Sequence, residues 1–324
     1  MNIGLSITKN EKKFFKLTEK LRKNFPELNF IHLKDEQSII DNIENINILL
    51  CYGIPKEIFK KNISSLKWIQ LGNAGVDNCM FNEVIKSKII ITNSRGINSK
   101  SVSEYVISSI LFFEKNLSDC IQFKKNRNWV QWDIAKKNDT LENKIIGIIG
   151  YGAIGKEIAK RAKSFNMKIY ATRRLQKKKI SNSNVDLLLP MEETNYILKN
   201  SDYIVLSCPL TPKTYKLINK ENIKNIKKSS IIINISRGDV IDEKSLIIAL
   251  QKNKIRGAAL DVYSKEPLNK KSPLFDLKNV LLSPHISGNF KGYQLNVINA
   301  FEKNLELFVN NKSLKNRICK KRLY

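Results

Sequence analysis

Long apolar runs are missing from this chain. No stretch of its 324 residues approaches the roughly 20 consecutive apolar side chains that a helix needs to span a bilayer, so no membrane association is expected. The opening Met1-Asn-Ile-Gly-Leu-Ser-Ile7 has no basic region ahead of a long apolar stretch. It reads as a strand rather than a secretion signal, and the cytoplasm is the expected compartment. Cysteine is sparse and scattered: Cys51, Cys79, Cys120, Cys208 and Cys319 form no C-x-x-C pair and no metal-type spacing. Such a set fits free thiols in a reducing compartment, excludes a disulfide framework and gives no metal site to expect. Histidine is scarcer still, with only His32 and His285, which leaves few places for acid–base chemistry near neutral pH. Repeats at solenoid period and low-complexity linkers are absent as well.

Acidic residues are outnumbered, 30 against 57 basic ones, for a net charge of +27. That imbalance would ordinarily point to a polyanion. Only 10 of the 57 are arginine, however; lysine carries the rest, and Asn and Ile, whose codons are also rich in A and T, are abundant too. The lysines are spread along the chain. The densest runs, Lys177-Lys-Lys179 and Lys320-Lys-Arg322, are short and have no interleaved aromatics. Genomic base bias accounts for the charge, and no specific nucleic-acid partner is expected.

The length suits two domains, and the hydrophobic fraction of 42% is ordinary for globular proteins. Apolar runs at Asn2–Ile7, Phe30–Leu33, Ile46–Tyr52, Trp68–Leu71 and Ile89–Thr92 read as strands, with a helical pattern over Lys12–Asn24. A long apolar segment, Ser101–Asn116, reads as a mostly buried helix. The polar stretch Lys124–Asn138 carries Trp129 and Trp132, which serve either an interface or packing on their own subunit. A second series of strands follows at Ile145–Ile149, Lys168–Ala171, Tyr203–Ser207, Ile231–Ile235, Ala258–Val262 and Val280–Leu282. Six strands with crossovers are what a doubly wound dinucleotide-binding domain requires. The tail Gly292–Leu307 is again helical and could return to the first domain.

The clearest local signal is Gly150-Tyr-Gly152-Ala153-Ile154-Gly155, set between the strand Ile145–Ile149 and an amphipathic helix. A G-x-G-x-x-G means little alone; in this context it is a dinucleotide turn. Gly150 permits the turn, Gly152 lets the backbone approach a pyrophosphate, and Gly155 lets helix and strand pack closely. Enzymes that use NAD usually place a carboxylate about 20 residues further on, to bind the ribose 2′-hydroxyl. Here Tyr170-Ala-Thr172-Arg173-Arg174 has none, and guanidinium groups bind phosphate with paired, charge-assisted bonds. NADP(H) is therefore the preferred cofactor, with NAD(H) possible.

Three further residues stand just past strands: Arg237 after Ile231–Ile235, Glu266 beyond Ala258–Val262, and His285 after Val280–Leu282. Ligands of open parallel sheets bind outside the carboxyl ends of the strands, so all three can converge on one crevice. His285 can exchange a proton with a keto or hydroxyl oxygen. A carboxylate such as Glu266 can hold the ring and balance its charge. Arg237 can clamp a substrate carboxylate and polarise the neighbouring carbonyl. His32, inside Phe30-Ile-His32-Leu33, reads as a packed strand residue.

Over nearly its whole length the chain resembles the D-isomer-specific 2-hydroxyacid dehydrogenase family. The resemblance is carried by Gly150–Gly155, Cys208-Pro-Leu-Thr-Pro-Lys-Thr214, Asn234-Ile-Ser-Arg-Gly238, Leu260-Asp-Val-Tyr with Glu266-Pro267, and Ser283-Pro-His-Ile-Ser287. It implies an α/β fold of two doubly wound parallel-sheet domains, a Rossmann domain (99–289) inserted in a flavodoxin-like substrate domain (1–98 plus 290–324). It implies that Arg237, Glu266 and His285 are the substrate-clamping, orienting and acid–base residues. Asn73, Ala74 and Gly75 match the loop whose amides hold the substrate carboxylate. Pro209 and Thr214 match the adenosine side and Asp261 the nicotinamide side, and Cys208 and Gly288 join the expected cofactor contacts. Family members are usually homodimers joined through the cofactor domain. Two departures stand out. Ser103 and Tyr105 replace the more usual Ala and His, a change read as neutral. The pair Arg173-Arg174 resembles the NADP-preferring members, including glyoxylate and hydroxypyruvate reductases. The reading is thus an NADP(H)-dependent interconversion of a small 2-keto acid and its D-2-hydroxy acid. Two alternatives stay open: oxidation of a phosphorylated hydroxyacid with NAD, or a dinucleotide-sensing corepressor or scaffold without turnover.

Overall fold

Short apolar runs separated by amphipathic ones can bury both faces of a strand only in a parallel sheet covered by helices on each side. The computed structural model, which describes residues 1–321, contains two such sheets. They lie in two compact units, one formed by Met1–Asn98 with the chain from Phe290 onward, the other by Ser99–Asn289.

In the first unit, β1 (Asn2–Leu5), β2 (Asn29–His32), β3 (Ile48–Cys51), β4 (Trp68–Leu71) and β5 (Ile90–Asn93) pair in the order 2-1-3-4-5. Every pairing is parallel, which is the flavodoxin-like winding. β1, β2 and β3 end a residue or two short of their apolar runs, where the ladder frays; β4 matches its run and β5 is shifted by one residue. The helix Glu11–Asn24 starts where Asn10 accepts from the Lys13 N–H, and it turns Phe14 and Leu21 inward. The tail helix Tyr293–Val309 packs into the same core through Val297, Phe301 and Leu305, with Phe301 stacked on Trp68 at 5.1 Å. His32 is a packed strand residue: its ring stacks on Phe14 at 4.2 Å, and its Nε2 lies 2.6 Å from Thr8 O.

The second unit holds β6 (Ile145–Ile149), β7 (Lys168–Arg173), β8 (Ile180–Asn182), β9 (Val185–Pro190), β10 (Tyr203–Leu206), β11 (Ile231–Asn234), β12 (Gly257–Leu260) and β13 (Val280–Leu282). Their order is 13-12-11-10-6-7-9-8, all parallel except the β8–β9 hairpin at one edge. The winding reverses between β6 and β10, so the crevice for a ligand lies at their carboxyl ends. Six strands were expected here. The sheet also contains β8 and β9, which the sequence hid behind Asp186 and Pro190. The carboxylate of Asp186 is accommodated because it accepts the Ile169 N–H at 2.6 Å and meets Lys163 Nζ at 2.7 Å.

The helix Ser99–Glu114 buries Val102, Val106 and Ile110, as its apolar sequence requires. Its last residue, Glu114, is fully buried as well. The carboxylate meets Lys144 Nζ at 2.7 Å, Arg256 Nη1 at 3.3 Å and the hydroxyl of Tyr203. This joins the helix end to the starts of β6, β10 and β12. Trp129 and Trp132 are 77% and 75% exposed, Trp129 meeting Phe123 edge-on at 5.7 Å. All five cysteines are free, and among the described residues no group of three or more His, Cys, Asp or Glu is placed to hold a metal. Among the described residues no helix is long and apolar enough to cross a membrane.

Candidate active site

At the carboxyl end of β6 the chain turns through Gly150 at φ 106°, a left-handed backbone that glycine adopts without strain. A Cβ on Gly150 would stand 2.7 Å from the Cys208 nitrogen, so the turn lies directly on the chain leaving β10. Ser207 Oγ donates to Gly150 O at 2.9 Å, and Thr172 O accepts the Gly150 and Tyr151 N–H groups at 3.2 and 2.8 Å. A Cβ on Gly155 would meet Gly150 O at 2.6 Å, so this glycine is needed for helix and turn to touch. Gly152, by contrast, has nothing within 4 Å of where a Cβ would project. It caps the 11-residue helix Ala153–Lys163, whose N-terminal amides and dipole favour an anion. An exposed Gly152 and Ala153, a half-buried Ile154 and a buried Gly155 fit the pyrophosphate of a dinucleotide.

Arg173 closes β7 and Arg174 follows it; both are exposed. Burial raises the Tyr151 phenol, and the charge of Arg173 opposes this. Thr172 takes a different part from the one expected of it. Its side chain is fully buried with the hydroxyl 3.3 Å from Met191 Sδ, so it supports the turn through its carbonyl and offers a ligand no surface. Past β10, Cys208 is buried and burial pushes its thiol up to about 12, so it is no nucleophile at neutral pH. Pro209 is exposed, and Thr214 Oγ1 donates to Pro209 O at 2.7 Å, tying off the 209–214 loop.

The chemistry-bearing side chains come from three more strand ends. His285 Nδ1 lies 2.7 Å from Glu266 Oε2, with both side chains partly open to solvent. Glu266 Oε1 accepts the Tyr263 N–H at 3.0 Å, which fixes the carboxylate. Arg237 follows β11 and donates through Nη1 to Ser236 O at 2.8 Å; Asn234 Nδ2 donates to Arg237 O at 2.9 Å. Gly238 lets this turn rest on the chain after β12. Asp261 is fully buried and faces the loop, not the crevice: Oδ1 accepts from Ser283 Oγ at 2.5 Å and from the Ile286 N–H at 2.8 Å, and Oδ2 from the Ser287 N–H at 3.0 Å. It thereby shapes the segment from Ser283 to the half-buried Gly288 that carries His285. The hydroxyls of Ser283 and Tyr105, neither of which has a site role expected from sequence, lie 2.6 Å apart. Tyr263, its phenol pushed up to about 12 by burial, donates to Ser283 O at 2.9 Å.

In the first unit, the loop after β4 is knitted to the end of β5. Asn73 Nδ2 donates to Tyr52 O at 2.9 Å, Asn93 Nδ2 to Ala74 O at 2.6 Å, and the Ser94 N–H to Asn73 O at 3.1 Å. Asn73 is exposed, Ala74 and Gly75 half-buried.

A glycine turn at a sheet's switch point, with a histidine–carboxylate pair and an arginine at neighbouring strand ends, defines a nicotinamide-dependent dehydrogenase. Comparison with known proteins narrows the class. Residues 107–287 match the D-isomer specific 2-hydroxyacid dehydrogenase, NAD binding domain. The chain is 34% identical over 274 residues to a glyoxylate reductase of Pyrococcus horikoshii, covering 83% of this chain and 80% of that protein. It is also 34% identical over 254 residues to a D-3-phosphoglycerate dehydrogenase of Methanocaldococcus jannaschii, covering 77% of this chain and 47% of that one. The solved structure of a D-isomer specific 2-hydroxyacid dehydrogenase family protein from Aeromonas salmonicida superposes with a TM-score of 0.84 at 26% identity, covering 98% of this chain and 99% of that one. The chain belongs to the D-isomer-specific 2-hydroxyacid dehydrogenase family. It is an NAD(P)-binding oxidoreductase that acts on the CH–OH group of small hydroxy acids and on the matching keto acids.

Proposed function

We propose that this enzyme reduces a small 2-keto acid, glyoxylate or hydroxypyruvate foremost, to its D-2-hydroxy acid, with NADP(H) preferred over NAD(H). The observation that carries the reading is the 2.7 Å pair of His285 and Glu266, past the carboxyl ends of strands of the same parallel sheet as the glycine turn. When bound, the reduced nicotinamide supplies the hydride. Because Glu266 engages Nδ1, the other ring nitrogen, Nε2, is the one that holds the proton destined for the keto oxygen. Glu266 balances the imidazolium and fixes the ring. Arg237 draws the substrate carboxylate and polarises the adjoining carbonyl; the amides of Asn73, Ala74 and Gly75 share the carboxylate. The 99–289 unit is assigned to the dinucleotide and the remainder to the substrate.

The cofactor preference is supported by the exposed Arg173 and Arg174, where a carboxylate would repel a 2′-phosphate. The substrate is supported by relatives named glyoxylate reductase. The exposed Trp129 and Trp132 support a homodimer joined through this unit. The deciding experiment is a turnover panel of glyoxylate, hydroxypyruvate, pyruvate and phenylpyruvate with NADPH and NADH. The expected result is steady NADPH oxidation with the first two. Turnover confined to a phosphorylated hydroxyacid with NAD, or none at all, overturns it, the latter in favour of a dinucleotide-sensing scaffold.

A further inference from the structure

The loop that carries His285 is tied down through hydroxyls whose hydrogens can be counted. Ser283 Oγ lies 2.5 Å from Asp261 Oδ1, and Tyr105 Oη lies 2.6 Å from the same Ser283 Oγ. Serine has one hydroxyl hydrogen, and a carboxylate only accepts. Ser283 therefore gives its hydrogen to Asp261, and Tyr105 is the donor to Ser283. Burial raises the Tyr105 phenol, against the opposing bond to Ser283, so the donor hydrogen stays in place at neutral pH. Asp261 then holds the N–H groups of Ile286 and Ser287, the two residues that follow His285. His285 itself has φ 55° and gives its N–H to Asp261 O at 2.9 Å. A side-chain-bearing residue keeps that left-handed backbone only where its surroundings over-determine it.

We propose that Tyr105, acting through Ser283, is a positioning residue for the acid–base histidine. Its O–H fixes the rotor of Ser283, Ser283 completes the donor set of Asp261, and Asp261 holds the 285–287 backbone in the form that turns the His285 ring to Glu266. The Tyr105 hydroxyl is thus a donor that this chain uses. The inference rests on His285 being the acid–base group, as proposed above.

The test uses two variants of the full chain. Tyr105→Phe keeps the ring and removes the hydroxyl; Ser283→Ala removes the relay. With two histidines in the chain, imidazole 1H–15N spectra are readily assigned, His285→Ala identifying one set of signals and His32 serving as the reference. In both variants the His285 ring signals should shift or broaden while those of His32 hold. The value of kcat should fall about tenfold with KM within about twofold of wild type. The double variant should be no worse than the poorer single one, because both remove the same chain of bonds. A Tyr105→Phe protein with wild-type His285 signals and wild-type kcat overturns the proposal, as does a lowered melting temperature with nothing changed at His285. If the wild type turns over no keto acid, the functional reading falls, and the imidazole spectra alone still decide whether Tyr105 orders the loop. Should Tyr105→Phe fail to fold, Ser283→Ala decides by the same criteria.

Discussion

Gly238 sits so close to Tyr263 that a Cβ on it would stand 1.9 Å from the Tyr263 carbonyl carbon and 2.2 Å from the Ser264 nitrogen. This contact joins the turn that carries Arg237 to the turn that leads to Glu266. Even the smallest side chain must push the two turns apart. Gly238→Ala is expected to lose most activity and, as overpacking commonly does, to destabilise by about 1–3 kcal/mol. Denaturant unfolding alongside initial rates checks both; an active protein of wild-type stability would show that the turns can part freely.

Removing the acid–base group should leave binding intact. His285→Ala should lower kcat by roughly 10²–10⁴-fold, with the cofactor Kd unchanged. Arg237→Ala should lose both substrate affinity and rate, since it acts on the substrate's charge before and during the reaction. A change confined to KM would limit Arg237 to ground-state binding, and an unchanged kcat in His285→Ala would remove that residue from the mechanism.

The cofactor preference has its own test. Replacing Arg173 and Arg174 together by Ser should cut kcat/KM for NADPH about 10–100-fold and leave NADH within about threefold. Steady-state kinetics with both cofactors gives the ratio. If the preference survives, the 2′-phosphate is read elsewhere.

Glu114 is a buried charge held by Lys144, Arg256 and Tyr203. Removing one partner of such a group leaves the others uncompensated, so Glu114→Ala should cost about 3–5 kcal/mol. Chemical denaturation measures the loss. In the folded fraction kcat/KM should stay near wild type, because the clasp sits at the strand starts.

Asp186 supplies a pH dependence. Burial pushes its carboxyl up, but the Ile169 N–H and the Lys163 ammonium together outweigh this and hold it below the ordinary carboxylate value. A native value that is depressed stabilises the fold above the unfolded value, and the benefit is lost as pH falls toward the native one. Wild type should therefore melt higher than Asp186→Asn at neutral pH, and the gap should narrow below about pH 4. A gap of constant size from pH 7 to pH 3 would place the contribution in packing rather than charge.

Much of the fold was legible because its strands are short, uninterrupted apolar runs. Ile145–Ile149 and Ile231–Asn234, buried on both faces, could be little else. The glycine turn was equally plain, since Gly150 and Gly155 answer backbone contacts that permit no other residue. The hairpin of β8 and β9 was not legible: Ile180–Asn182 is exposed, and Asp186 breaks the apolar pattern for a reason visible only once Ile169 and Lys163 stand beside it. Arg237, Glu266 and His285 could be picked out by type and place. What ties down the loop that carries His285 could not, because Ser283 and Tyr105 lie far apart in sequence and nothing in either residue announces a partner. Thr172 misled for the same reason: adjacency to Arg173 says nothing about which way alternate side chains of a strand point.

The clasp around Glu114 fastens the second sheet along the rim where its strands begin, while Arg237, Glu266 and His285, the groups proposed to react, follow the ends of its strands. Changes at sites well separated in space tend to add without interfering. Residues along the fastening rim can therefore be altered for heat resistance while the opposite rim is remodelled for a new substrate, and neither effort need undo the other.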